Sequence, residues 1–164
     1  MTIILKLEPA GSGAICRSIL AQLPEWFGLP ESNAAYERTA EAGPAWLALQ
    51  DGQAVGLMLL KPHFADALEI ELLIVRRELH RAGAGRALVD RAVTLARAQG
   101  RRFLTVKTRG PSLPYAPYER TRAFYLAVGF VALEEFIEIW GPENPCLFMV
   151  KAVAPDPLIA KARR

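Results

Sequence analysis

Soft metal ligands are scarce in this chain: there are two cysteines, Cys16 and Cys146, and two histidines, His63 and His80. The cysteines lie far apart, and neither belongs to a short-spaced pair of the kind that holds zinc. The sequence therefore predicts no metal site and no disulfide framework, but two reduced, buried thiols. No apolar run reaches the roughly 18 residues that a membrane-spanning helix requires. The opening stretch, MTIILKLEPAGSG, has no basic segment leading into a long apolar one, so no signal peptide is read and a cytoplasmic location is expected. Internal repeats and low-complexity segments are missing, and no basic stretch is interleaved with aromatics in the way that suits nucleic acid.

What is present has the balance of an ordinary globular domain: 164 residues, 52% apolar and 23% charged, with a net charge of +3. We assign one domain to residues 1–152 and a C-terminal tail to 153–164. One local excess of charge stands out, because Arg76, Arg77, His80, Arg81, Arg86 and Arg91 fall close together. A solvated face would explain it, and so would a small polyanionic ligand.

Thr2 to Leu7 reads as a short strand, stopped by Pro9 and Gly11. Ser12 is placed to cap a helix to about Phe27, and Pro30 opens another to about Glu41. Asp51-Gly52 joins the apolar runs AWLALQ and AVGLMLLK as a hairpin. A strand over Leu68 to Val75 is followed by a helix over Arg86 to Gln99, stopped by Gly100. RFLTVK is a buried strand, and a proline-rich loop leads to a helix around Glu119 to Val128. FVALEEFIEIW and CLFMVKAV close the chain as strands. The order β-α-α-β-β-β-α-β-α-β-β predicts an α/β fold with a mixed sheet and helices on both faces.

Between the strand that ends at Val75 and the next helix lies the segment HRAGAGRAL. Glycines at 83 and 85 permit positive φ and close backbone approach, and the free amides of a helix start suit a pyrophosphate. Helix–sheet packing would also account for the glycine pair. A dinucleotide fingerprint is disfavoured: Ala87 and Leu88 stand where its third glycine belongs, and the following strand ends in Lys107-Thr108 where an acidic residue is needed.

These residues resemble the GNAT superfamily of acetyl-CoA-dependent N-acetyltransferases. That family carries R/Q-x-x-G-x-G/A after its fourth strand, and here His80 to Gly85 reads H-R-A-G-A-G, with histidine in the first position. A second matching stretch is Tyr125 followed by Gly129-Phe130. Tyr118 stands where many members have asparagine. The resemblance implies a mostly antiparallel sheet splayed between strands four and five, with acetyl-CoA as cosubstrate and no metal. It implies that Leu73, Ile74 and Val75 pair with the pantetheine arm, with Val75 N–H as oxyanion donor. Arg81, Ala82, Gly83, Ala84, Gly85 and Arg86 would hold the phosphates.

For the chemistry, Tyr125 is the candidate general acid for the leaving thiolate, since a phenol is protonated at neutral pH. Packing would also explain its place on an amphipathic helix, but the following Gly129-Phe130 and the position implied by the resemblance favour function. Glu69 and Glu71 are the candidate bases. Period two puts them on one strand face, and the sequence does not choose between them. His63, after Pro62 at a strand end, reads as structural. The expected partner is a small-molecule amine, cationic if Trp26, Phe27, Tyr36, Tyr115, Tyr118 and Trp140 with Glu134, Glu135 and Glu138 line its pocket. Neither nucleic acid nor membrane is expected; a homodimer is compatible, and the oligomeric state is left open. The alternatives are a non-catalytic acyl-CoA-binding module and an enzyme acting on protein amines.

Overall fold

Alternation of apolar residues and a few obligatory turns account for most elements of the computed structural model, which describes residues 2–154. The strands are β1 (Ile4–Glu8), β2 (Ala45–Gln50), β3 (Gln53–Pro62), β4 (Ala67–Val75), β5 (Phe103–Arg109), β6 (Val131–Phe136) and β7 (Cys146–Ala152). The helices are α1 (Gly13–Leu20), α2 (Pro30–Ala42), α3 (Ala84–Ala98) and α4 (Ala116–Ala127), with a 3-10 turn at Arg77–Leu79. The strands form a seven-stranded sheet in the order β1-β2-β3-β4-β5-β7-β6. β4 and β5 run parallel, while β1–β2, β2–β3, β5–β7 and β6–β7 are antiparallel, so the fold is the mixed α/β arrangement expected. The parallel ladder registers Ala67–Ile70 against Phe103–Val106, and both strands run on beyond it, β4 to Val75 and β5 to Arg109. Among the described residues no helix is long and apolar enough to cross a membrane.

Two compact units are present, residues 2–60 with 71–91 and residues 61–70 with 92–154. In the first, Asp51 and Gly52 both take positive φ, 50° and 77°, which a two-residue hairpin of matching twist requires. Ala45, Leu47, Leu57, Leu59, Leu72 and Ile74 face Cys16, Ile19, Leu20, Leu23 and Ala40 in one apolar cluster. On the opposite sheet face Gly56 lies under α3: an added Cβ would come within 3.3 Å of Leu88 and 3.1 Å of the Ile74 carbonyl. Helices therefore cover both faces of this part of the sheet.

α1 stops at Leu20, short of the expected Phe27. Pro24 disfavours helical geometry at Leu23, and the chain leaves through tighter bonds, Gln22 N–H to Ile19 O (3.1 Å) and Leu23 N–H to Leu20 O (2.9 Å). Ser12 does not cap this helix with its side chain; the Glu41 carboxylate accepts from Gly13 N–H at 3.0 Å instead.

The second unit is organised by two left-handed glycines. Gly100 (φ 67°) ends α3 in a Schellman motif, with Arg101 N–H bonded to Ala96 O at 2.8 Å and Gly100 N–H to Arg97 O at 3.0 Å. Gly129 does the same for α4, as described below. β6 ends at Phe136, short of the expected Trp140, where its partner strand begins at Cys146 directly after Pro145, a residue with no N–H to donate. Val153, the first residue of the expected tail, is buried and donates to Arg102 O at 2.7 Å. The rest of that tail, from 155, lies outside the described residues.

Both cysteines are free and fully buried. Burial first, and Glu37 second, push the Cys16 thiol up to about 11. Burial pushes Cys146 up to about 11 as well, with Lys107 opposing and Glu69 adding to it. At pH 8 such thiols are about 0.1% thiolate. Both should therefore resist Ellman's reagent in the native protein and react within minutes in guanidinium. Rapid stoichiometric reaction in native buffer would contradict their placement.

Candidate active site

β4 ends at Val75, and Ala84 already begins α3, so the intervening loop is short and tightly held. Arg76 N–H donates to Val55 O at 2.8 Å, and its Nε to Ala54 O at 2.8 Å. His80 Nε2 lies 2.9 Å from Val75 O, with its ring against Trp26 at 5.7 Å edge-on. Arg81 and Gly83 then take positive φ, 68° and 92°. Gly83 O receives the Ala87 N–H at 3.0 Å, the first bond of the helix. The amides of Ala84, Gly85 and Arg86 thus have no acceptor within the helix, and its dipole adds partial positive charge there.

This loop fits a pyrophosphate. A Cβ built on Gly83 meets no atom within 4 Å among the described residues, so none of them fills the space beside it. Arg81 and Arg86 are exposed and make no hydrogen bond or ion pair among the described residues. Other members of the basic run are already engaged. Arg77 bonds Glu25 and the Gln22 carbonyl, and Arg91 lies 4.8 Å over Trp46. The run is therefore part scaffold and part free charge, which sequence alone could not divide. Leu73 and Val75 are half-buried and Ile74 is buried.

Glu69, in the second unit, has its side chain only 8% exposed. Glu69 Oε1 accepts from Lys107 Nζ at 2.8 Å, and Oε2 is hydrogen-bonded to His63 Nε2. The diagonal contact follows from register: Glu69 pairs with Thr105, and Lys107 is the next residue on that face of β5. Burial alone would raise the Glu69 carboxyl, but the bonds from Lys107 and His63 outweigh it and hold it below the usual carboxylate range. Glu71 belongs to the first unit and is half-buried with a partner of its own. His63 and Lys107 were not among the expected site residues. Neither carries a motif, and only the strand register brings them to Glu69.

Tyr125 is buried at 6% exposure, its ring 5.3 Å from Phe124 and 5.4 Å from Phe130. Gly129 (φ 92°) donates to Leu126 O, and Phe130 N–H to Tyr125 O, both at 3.0 Å. The Tyr-x-x-x-Gly-Phe spacing is thus a Schellman cap with its accompanying apolar contact. Of the expected pocket lining, Trp26 carries Arg77 at 5.8 Å, Tyr115 carries Arg109 at 4.9 Å, and Phe27 packs on Tyr36. Tyr118 packs on Tyr115, and Glu135 Oε2 accepts from Ser112 N–H at 3.2 Å. Glu134, Glu138 and Trp140 are exposed.

A carboxyl lowered in the folded state stabilises it fully above the ordinary carboxylate range and ceases to do so as pH falls through the folded value. Wild type should accordingly be more stable than Glu69→Gln near pH 6, with the gap in Tm closing on acidification to about pH 3. A gap that stays constant over that range would contradict the ionised, paired Glu69.

Solved structures with this fold include a protein from Desulfovibrio desulfuricans described as a GNAT-family acetyltransferase. It is 19% identical, with a TM-score of 0.80, covering 93% of this chain and 100% of its own. The ribosomal-protein-S18-alanine N-acetyltransferase of Escherichia coli is 14% identical with a TM-score of 0.73, covering 93% and 95%. An aminoglycoside 6'-N-acetyltransferase complexed with coenzyme A is 16% identical with a TM-score of 0.70, covering 94% and 99%. Residues 14–130 match the profile of the Acetyltransferase (GNAT) family, and with that match, the sheet and the glycine turn in place, the chain belongs to this family of acetyltransferases.

Proposed function

We propose that this acetyltransferase transfers the acetyl group of acetyl-CoA to a primary amine of a small cationic molecule, as one catalytic domain over residues 1–152. The observation that carries the reading is the turn into α3. It combines first-turn amides without acceptors in the helix, left-handed geometry at Arg81 and Gly83 and, among the described residues, open space beside Gly83 and two unengaged arginines. Backbone donors at a helix start with arginines beside them bind a pyrophosphate. A cytoplasmic location, where acetyl-CoA is available, is part of this reading.

In the reaction the amine nitrogen attacks the thioester carbonyl, the C–N bond forms and the C–S bond breaks. Val75 N–H is the proposed donor to the oxyanion, and Tyr125 the proposed donor to sulfur. A carboxylate on β4, Glu69 or Glu71, serves the removal of the ammonium proton. A non-catalytic CoA-binding module would have no use for this set. The acceptor is taken as cationic because Glu134 and Glu138 are exposed and make no ion pair among the described residues, with Trp140 exposed near them in sequence. The aminoglycoside enzyme among the structural neighbours supports such an acceptor.

Gly83→Val should weaken CoA binding at least tenfold by calorimetry while leaving the circular dichroism unchanged. The added Cβ meets no atom of the described residues within 4 Å but enters the space proposed for phosphate, and its φ is strained. Unchanged affinity would show the turn to be misassigned. Thiol release from acetyl-CoA should then appear with putrescine, spermidine or kanamycin before it appears with glutamate or aspartate. Preference for the acidic amines would sink the cationic acceptor.

Tyr125→Phe keeps the ring that packs on Phe124 and Phe130, so the fold should survive. Turnover should fall roughly 10²- to 10⁴-fold with CoA affinity little changed. Wild-type turnover in that variant, with chemistry rate-limiting, would remove Tyr125 from the mechanism.

A further inference from the structure

Within the first unit a groove of about 460 Å³ is lined by parts of α1, β1, β2 and the start of β3, and by Arg76, the residue that follows β4. No residue of the turn at 80–86 lines it. Its apolar part is the outer skin of the core: Leu47 is buried, and Ile15, Leu49 and Ala54 are half-buried against the core cluster. Ala14 and Ser18, about one helical turn apart on α1, are exposed. A largely apolar depression of this size with a few fixed polar groups is the usual form of a small-molecule site.

Arg76 supplies the fixed polar group. Its backbone N–H donates to Val55 O at 2.8 Å and its Nε to Ala54 O at 2.8 Å, while Nη2 lies 3.5 Å from Ser18 Oγ. Holding the Ala54 carbonyl takes Nε alone, and Nη1 has no hydrogen-bond partner among the described residues. Arg76 is half-buried and makes no ion pair among them. Glu8, the one acid among the lining residues, is paired with Lys6 at 2.5 Å, so those two charges offset each other. The charge left over in the groove is that of Arg76. A braced guanidinium with a free edge takes a carboxylate in two parallel bonds, and a single positive charge suits a monoanion.

We propose that this groove binds a small monocarboxylate with an apolar body. The carboxylate sits on Arg76 and the Ser18 hydroxyl, and the body lies on Ile15, Leu47 and Leu49. Gln53, exposed and also lining the groove, has a side-chain amide with no partner among the described residues and adds a polar contact. A phosphate dianion is the poorer match, because Glu8 shares the groove and Arg76 is its only unpaired cation among the described residues. The site is a second one on this chain: it goes beyond the acetyl-transfer reading and does not rest on it.

Amide chemical-shift mapping of the full chain without CoA tests this, with phenylacetate as the probe. Phenylacetamide is its neutral counterpart and benzylphosphonate its dianionic one. Phenylacetate should give saturable shifts on the amides of residues 14–18, 47–49, 53–54 and 76. Phenylacetamide should bind roughly tenfold more weakly or worse, having lost the charge-assisted pair. Arg76→Gln should lower phenylacetate affinity by a similar factor and leave phenylacetamide affinity unchanged, a split that a merely distorted groove would not give. Ala14→Phe, at an exposed helical position, should fill the groove and abolish the shifts with Arg76 intact, and it decides the matter even where Arg76→Gln fails to fold. Absence of saturable shifts in the groove, or shifts centred on residues 82–86, would overturn the site. Phenylacetamide binding as tightly as phenylacetate, or benzylphosphonate binding more tightly, would overturn the monocarboxylate. Binding retained in Ala14→Phe would overturn the placement.

Discussion

Between Val75, the last residue of β4, and Ala84, the first of α3, the chain must turn out of a strand and enter a helix within a few residues. That constraint shapes the local sequence. A 3-10 turn at Arg77–Leu79 starts the reversal, and His80 ties back to the Val75 carbonyl. Two left-handed residues, Arg81 and Gly83, complete it. The helix then begins with its first amides unsatisfied by anything within it. Unsatisfied amides at the start of α3 are thus a by-product of how tightly this connection is made, and Arg81 and Arg86, which make no ion pair among the described residues, stand beside them.

A second constraint is the burial of Glu69. An ionised carboxylate away from water is costly unless it is paired and hydrogen-bonded. β5 supplies Lys107 through register, and the loop before β4 supplies His63. The fold has reason to keep both partners, because removing Lys107 would leave the buried carboxylate with His63 alone. The same economy of polar groups appears at the start of α1, where the Glu41 carboxylate meets Gly13 N–H.

Much of this was legible in the sequence because it depends on local backbone chemistry. Asp51-Gly52 and Gly100 mark positive-φ positions that glycine or aspartate tolerates, and both turns fell where the sequence put them. Boundaries set by longer-range effects were less legible. α1 ended early because Pro24 acts backward on Leu23, and β6 ended where Pro145 fixes the start of its partner. Of the site, the glycine turn could be found from its motif. The fates of Arg77 and Arg91, and the placing of His63 on Glu69, depend on contacts between residues distant in the chain. The spacing of Tyr125 to Gly129-Phe130 was visible, but its immediate cause is the capping of α4.

The central claim is that the start of α3 is a CoA phosphate site. Amide chemical-shift mapping with CoA, and separately with pantetheine, which lacks the pyrophosphate, tests it most directly. With CoA the largest shifts should fall on the amides of residues 82–86, and with pantetheine those amides should stay still while others on β4 respond. Shifts at 82–86 that pantetheine reproduces, or CoA shifts that leave those amides unmoved, would contradict the account.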